Sequence, residues 1–588
     1  MTTRKTSGEV SSGSGGTLTS DVYSGGGRAL TSGTRSGGIG TLKTAILWLL
    51  FTAAFLVMWA LFETHDGISY DSAYQYFLNR HSWSGLMQLL RSDYSPPLYT
   101  YLLKAVSVIT GGSLFSLRAV TVVIYAFLFA VILFPGRRLL GPRASVLAAV
   151  FVLCSRYTIY FGHTVRPAVL AFALSTAFLI HASLFYDHGE KRDLILMTVY
   201  GLLSMYTHNT SLIIAFCSYG ALAVAALIKR DFPRLRALLV SGVIVSVLYL
   251  PWLFVLLGQL GAVKDGYWVS EGNVISSVYY AFIGCFENGS GTAMSVIAVM
   301  TVVLSALLAP LLLISPSKLR DAKRIKDAVD PGRKERAVES YRGARTLAVL
   351  FAGSLAGFIA ATYVADLYAG RYFFIYSGAA ALLWAAAITS CDRKNMISLL
   401  CTAVCAVNII TGFTGVDRKS PAGELDRFRK DFDASYHVLP SYSDIYDPGT
   451  SLPPLFVHVN EWDLGITSYL IPEADHLVTD RTYTVLNDLS VFEADGNTVI
   501  RGNDIFEGGR INVYVFINED LYEDGWMSEL IPADPSSYEA ELIGRYNLPY
   551  NCNENHSLTA SLYRLNKKQS RPVPDRQAEV SLRQLPCR

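Results

Sequence analysis

Acids, histidines and arginines stand in this sequence where apolar runs begin or end. The stretch GISYDSAYQYFLNRHSWSGLMQLLRSDYSPPLYTYLL, Gly67–Leu103, follows the first long apolar run and carries Asp71, Asp93, the Pro96-Pro97 pair and several tyrosines. In YFGHTVRPAVLAF, Tyr160–Phe172, His163 and Arg166 are three residues apart, and Pro167 stands where a helix can begin. His208 and Asn209 break an apolar stretch at YTHNTS, and Arg371 is flanked by Tyr368 and Tyr372 in YAGRYFF. Arginine offers a planar fork of donors suited to phosphate oxygens. Charged groups near membrane depth are costly and line a polar cavity, pair together or mark a functional path. The tyrosines also fit an aromatic belt at an interface, and Asp71 also fits a cap on the short helix SAYQYFLNR.

The elements that must position these residues are mostly membrane spans. Of 588 residues, 51% are hydrophobic and only 17% charged, against roughly a quarter charged in soluble domains. Spanning a bilayer takes about 20 apolar residues per helix, and such runs recur from Ala45 to about Thr414. The reading is a polytopic α-helical membrane protein with about eleven spans: 44–62, 117–134, 144–160, 167–186, 194–207, 210–229, 237–257, 292–315, 346–366, 372–390 and 396–414. Residues 1–43, rich in Gly and Ser, are expected to be a disordered cytoplasmic tail. Residues 44–414 form the membrane region, with a first outer loop at 63–116. Residues 415–588 form a polar extracytoplasmic region.

Lys and Arg in connecting loops set orientation. The N-terminal tail and the basic connections Pro135–Arg143, Asp187–Asp193, Ile228–Arg236, Ser317–Arg345 and Cys391–Asn395 are assigned to the cytoplasm. That assignment is consistent only if Leu98–Thr110 does not span. It is 13 residues long, holds Lys104 near its middle and ends at Gly111-Gly112, so it reads as a helix on the outer surface with the lysine snorkelling. Asp71, Asp93, His163, Arg166, His208 and Arg371 then collect on the outer side, where a lipid head group sits. The spans are apolar through their centres, unlike a transporter with ionisable groups at the midplane. The net charge of +2 gives no reason to expect nucleic acid, and the eight cysteines show no metal-ligand spacing.

The motifs in order resemble the GT-C superfamily of membrane glycosyltransferases, in the branch of protein O-mannosyltransferases and lipid A aminoarabinose transferases. The matching residues are Asp71-Ser72-Ala73-Tyr74, Pro96-Pro97-Leu98-Tyr99, LFSLRAVTVV, YFGHTVRPAVLAF, YTHNTSL and GRYFF, covering about residues 44–414. Ser72 departs from the pattern, because relatives carry Glu there.

The resemblance implies a GT-C fold and an inverting transfer of a sugar from a polyprenyl-phosphate donor to an acceptor hydroxyl on a protein, glycan or lipid. An attacking hydroxyl needs a base and a departing phosphate needs positive charge. Asp71 is the candidate base. Arg166 and Arg371 are candidates for the phosphate, with His163 and His208 as secondary donors and Asp93, Tyr372 and Lys104 as further substrate contacts. No metal is required, although a divalent cation is compatible with the outer-loop acids. The alternatives are a transporter or flippase of an anionic envelope precursor, and a membrane anchor that displays the tail.

In the tail, Pro454–Asn460, Ile511–Asn518 and Ser557–Leu565 read as strands. DLGITSYLIPEA and TYTVLNDLSVFEA read as helices, giving a small α/β domain. The setting implied is a cell membrane, with the N-terminus cytoplasmic and the tail outside.

Overall fold

The computed structural model describes residues 34–62, 69–92, 95–263, 331–365, 370–390, 452–484, 488–494, 496–503, 513–518, 538–548 and 558–567, with residues 274, 277, 281 and 505 singly. The expected spans 292–315 and 396–414, and Asp93, lie outside them. By internal contacts the chain divides into Met1–Ile46 and Leu47–Arg588. In the first unit the described part is the beginning of helix α1 (Thr34–Phe62). It starts earlier than expected, because each residue added to an established helix gains a hydrogen bond at little further cost.

Among the described residues six helices are long and apolar enough to cross a membrane, so the chain is a multi-pass membrane protein. The helices that follow α1 are α2 (Tyr70–Leu78), α3 (Trp83–Ser92), α4 (Leu98–Thr110), α5 (Leu114–Leu133), α6 (Pro135–Leu140), α7 (Pro142–Leu153) and α8 (Arg156–His163). Next come α9 (Pro167–His188), α10 (Lys191–Met205), α11 (Asn209–Ile228), α12 (Phe232–Val263), α13 (Pro331–Ala365), a 3₁₀ helix (Gly370–Tyr376) and α14 (Ser377–Ser390). The apolar window of α9 is 94% buried inside the protein, against 28% for that of α12. A helix apolar on all sides belongs in the middle, and α9 is the centre of the bundle.

Two expected spans are not continuous α-helices: 372–390 opens as the 3₁₀ helix Gly370–Tyr376, and 144–160 is divided. The continuous span 144–160 is broken at Cys154–Ser155 into α7 and α8. Thr158 Oγ1 donates back to the Val152 carbonyl across the break, satisfying an acceptor that the helix end leaves open. The helix Leu98–Thr110 has the expected limits and stops at Gly111, whose φ of 82° is left-handed. Its lysine is used differently. Lys104 Nζ donates to the Asn79 carbonyl at 2.7 Å, so the ammonium closes the C-terminal end of α2 in place of snorkelling.

The segments assigned to the cytoplasm meet one another at one end. Arg138 bridges Asp193 and Glu190 at 3.0 and 2.8 Å, and His181 Nδ1 bonds Asp193 Oδ1 at 2.8 Å. Thr346 of α13 donates to Asp187 at 2.9 Å.

The tail forms a six-stranded sheet: β1 (Leu455–Asn460), β2 (Asp475–Tyr483), β3 (Thr498–Arg501), β4 (Val513–Asn518), β5 (Tyr538–Leu548) and β6 (Leu558–Lys567), in the order β3-β2-β1-β4-β6-β5. β3, β2, β1 and β4 are parallel, while β6 and β5 close the sheet antiparallel. Helix α15 (Glu461–Leu470) crosses from β1 to β2, as parallel neighbours require. The described residues of TYTVLNDLSVFEA do not form the expected helix: Thr482–Tyr483 end β2, and Leu489–Phe492 form a 3₁₀ turn. The β-branched Val478, Thr479 and Thr482 suit a strand, and pairing with β1 and β3 outweighs local helix preference.

Candidate active site

Helices α2, α4 and α9 bring the site together. α2 begins at Tyr70 because Ser69 caps it, its hydroxyl accepting from the Ser72 N–H. The cap is therefore Ser69, and Asp71 in the first turn is left for another partner. A carboxylate there also suits the positive end of the helix. On the other side, Pro167 opens α9 and forces the preceding residue out of the helical region. Arg166 is accordingly extended, with φ −138° and ψ 145°, and its cationic group sits at a helix start that disfavours positive charge. Asp71 supplies the offsetting charge through an ion pair with Arg166. The carboxylate is 28% exposed and the guanidinium 13%, so the pair is sheltered but still open to a reactant.

Ser72, the departure from the family pattern, is wholly buried at this junction. Its hydroxyl accepts from the Val165 N–H at 3.3 Å and from the Ser69 hydroxyl at 3.0 Å. A short polar side chain thus ties the first turn of α2 to the segment just before Arg166.

α4 braces α2 through two hydrogen bonds. Thr100 Oγ1 donates to Gln75 Oε1 at 3.2 Å, and Lys104 holds the Asn79 carbonyl. Burial, and then neighbouring Arg80, holds the Lys104 ammonium below its usual range. The PPLY motif leads into α4, whose Leu98 N–H donates to the Tyr206 carbonyl at 2.9 Å, joining it to the loop before His208. Tyr99 is fully buried beside Arg166: burial pushes its phenol upward, against a smaller opposite pull from the Arg166 backbone.

The remaining candidates fall into smaller groups. His208 caps α11, its Nδ1 accepting from the Thr210 N–H at 3.2 Å, which puts the proton of the neutral ring on Nε2. The Tyr372 ring meets it edge-on at 5.6 Å. Arg371 precedes Tyr372 in the 3₁₀ helix, and its side chain lies outside the described residues.

His163 is buried and gives its Nε2 proton to the Trp59 carbonyl at 2.9 Å, stacking on the same indole. That imidazole joins α8 to α1, so the expected role as a donor to phosphate or sugar does not describe its Nε2. Arg118, at the start of α5 and outside the candidate set, is the largest fully buried side chain among the described residues. Among the described residues no group of three or more His, Cys, Asp or Glu could hold a metal ion.

Residues 94–253 match the family model of dolichyl-phosphate-mannose-protein mannosyltransferases. This stretch contains the twin prolines, Arg166 and His208. No curated protein sequence matches the chain. Similar solved structures include ArnT from Cupriavidus metallidurans bound to undecaprenyl phosphate, with 14% identity, a TM-score of 0.48, and coverage of 90% of this chain and 98% of that one. Another is the oligosaccharyltransferase AglB from Archaeoglobus fulgidus with an inhibitory peptide and a dolichol-phosphate, with 13% identity, a TM-score of 0.39, and coverage of 90% and 75%. Through the family match, the resemblance carried by the sequence motifs is to the GT-C membrane glycosyltransferases.

Proposed function

We propose that the protein moves a sugar from a polyprenyl-phosphate donor to an acceptor hydroxyl on the outer face of a cell membrane, with inversion at the anomeric carbon. The observation that carries this reading is the ion pair between Asp71 and Arg166. It joins a base to a phosphate-binding group on a sheltered but open surface. The family match over residues 94–253 supports the same reaction class.

In the proposed step the acceptor oxygen attacks the anomeric carbon, a new C–O bond forms, and the bond from that carbon to the phosphate oxygen breaks. The acceptor proton passes to Asp71, which becomes neutral as the departing lipid phosphate gains a negative charge. The positive charge of Arg166 then turns from a carboxylate that no longer needs it to a phosphate that does, and the local charge balance is kept. Arg371 is the second phosphate partner in this reading, and His208 with Tyr372 lines the sugar. Asp93 is a further contact of the loop. The step as written requires no metal, since the chain's own cations carry the phosphate, and it is compatible with a divalent cation.

The N-terminus is cytoplasmic in this reading. The first loop and the tail face outward, where the acceptor hydroxyl of a protein, glycan or lipid is presented. The test is a proteoliposome assay with a radiolabelled polyprenyl-phosphate sugar. Label in a new glycosidic linkage, with release of polyprenyl phosphate, supports the reading. Label that crosses the bilayer still attached to its lipid would identify a translocator.

A further inference from the structure

The tail grips α2 at the residue beside Asp71. The Tyr70 hydroxyl donates to Glu461 Oε1 at 3.0 Å, and Glu461, the first residue of α15, is only 2% exposed. One turn later Gly465 lies against the same ring. A β-carbon there would stand 2.9 Å from Tyr70 Cδ2 and 3.1 Å from Phe492 Cε1, so a side chain would push the helices apart. Trp462 meets Tyr70 edge-on at 6.4 Å, and the ring of Phe492 packs on Tyr70, Tyr74 and Phe77. Just past the end of α2, His81 Nε2 donates to the Val491 carbonyl at 2.9 Å.

Tyr70 and Asp71 are successive residues of one helical turn, about 100° apart around the axis. Fixing the Tyr70 ring therefore fixes the rotation of α2 and the direction in which Asp71 leaves it. We infer that Tyr70 and Glu461 are positioning residues for Asp71: the tail sheet holds the first turn of α2 at the rotation that meets Arg166. The effect on rate rests on the glycosyltransferase reading; the effect on α2 does not.

The experiment uses the full chain in nanodiscs, with two readouts. The first is amide hydrogen exchange over Tyr70–Leu78, and the second is kcat and donor KM for sugar transfer. Tyr70→Phe removes only the hydroxyl. It is expected to speed exchange at the start of α2 about tenfold and to lower kcat on the order of ten- to a hundredfold, with donor KM unchanged. Glu461→Gln keeps an acceptor for the phenol and should retain more kcat than Glu461→Ala. His81→Ala loosens the same seam away from Tyr70.

Wild-type exchange and kcat in Tyr70→Phe would overturn the inference, as would an equal loss of kcat in His81→Ala. If the wild-type protein forms no glycosidic bond, the proposed function falls. The exchange readout then decides the inference alone, and unchanged protection of α2 in Tyr70→Phe rejects it.

Discussion

The carboxylate of Asp71, in the first turn of a short loop helix, is paired with the guanidinium of Arg166 at the start of the central helix of the bundle. The pair joins the first loop to the bundle at the end where the tail sheet also packs. Because α2 touches both Arg166 and Glu461, the first loop and the tail meet at the same end of the bundle.

Asp71→Asn keeps the shape of the side chain and removes its capacity to accept a proton. Transfer from a polyprenyl-phosphate sugar is expected to fall on the order of a hundred- to ten-thousandfold, with the protein still inserted and monodisperse. Radiolabel transfer measures it. Wild-type turnover in this variant would remove Asp71 as the base.

Arg166→Lys keeps a charge and loses the fork. Lysine presents a single ammonium on a flexible stem, so it cannot hold a carboxylate and a phosphate in one plane. The expected outcome is a fall in kcat of about two orders of magnitude with the protein folded. A lysine variant as active as wild type would show that charge alone suffices.

Asp193 is wholly buried between Arg138 and His181 at the far end of the bundle. Removing it leaves the buried His181 Nδ1 without its acceptor and the partly exposed Arg138 without one of its two carboxylates, a loss of about 1–3 kcal/mol. Asp193→Ala should therefore lower the unfolding temperature in detergent by several degrees. In protein that remains folded, donor KM should be unaltered. A shifted KM with unchanged stability would contradict a purely structural role for Asp193.

The tail sheet has its own dependence on pH. His476 gives its Nε2 proton to the Ile471 carbonyl and receives one from His458, both rings fully buried. Burial depresses both, His476 to about 4, and His458 is also repelled by its neighbour. Burial acts oppositely on Asp463, pushing its carboxyl up to about 8.

Between pH 4 and 6.5 the unfolded chain takes up two imidazole protons that the folded one refuses, while folded Asp463 holds one that the unfolded chain has lost. Stability therefore rises with pH across that window. Between about 6.5 and 8 only Asp463 differs between the states, and stability falls as pH rises. Limited proteolysis of the tail in the full chain should be slowest near pH 6.5. His458→Leu should flatten the acid limb, and Asp463→Asn the alkaline one. A flat profile in the wild type would refute the assignment.

The membrane helices were legible because a bilayer imposes a length and a polarity that composition reports directly. The extent of α4 was legible because a short apolar run ends at a Gly-Gly pair, and its limits agree with Leu98–Thr110. Three tail strands announced themselves by apolar runs near 454–460, 511–518 and 557–565. β2 did not, since its polar residues gain their place only by lying between β1 and β3. The break between α7 and α8 was hidden in the same way, because nothing in an apolar run marks where a helix will end against its neighbours.

By itself the sequence determined that the chain spans a membrane many times, and that Asp71, Arg166, His208 and Arg371 stand at the ends of apolar runs. Local composition and the cost of polar groups in hydrocarbon are enough for that. Only the tertiary structure decided which of these residues meet. Asp71 pairs with Arg166, Lys104 turns to α2, His163 joins Trp59, and Glu461 reaches Tyr70 from 391 residues away. Such partnerships depend on how helices and sheet pack around a common centre, and no local stretch of sequence carries that information.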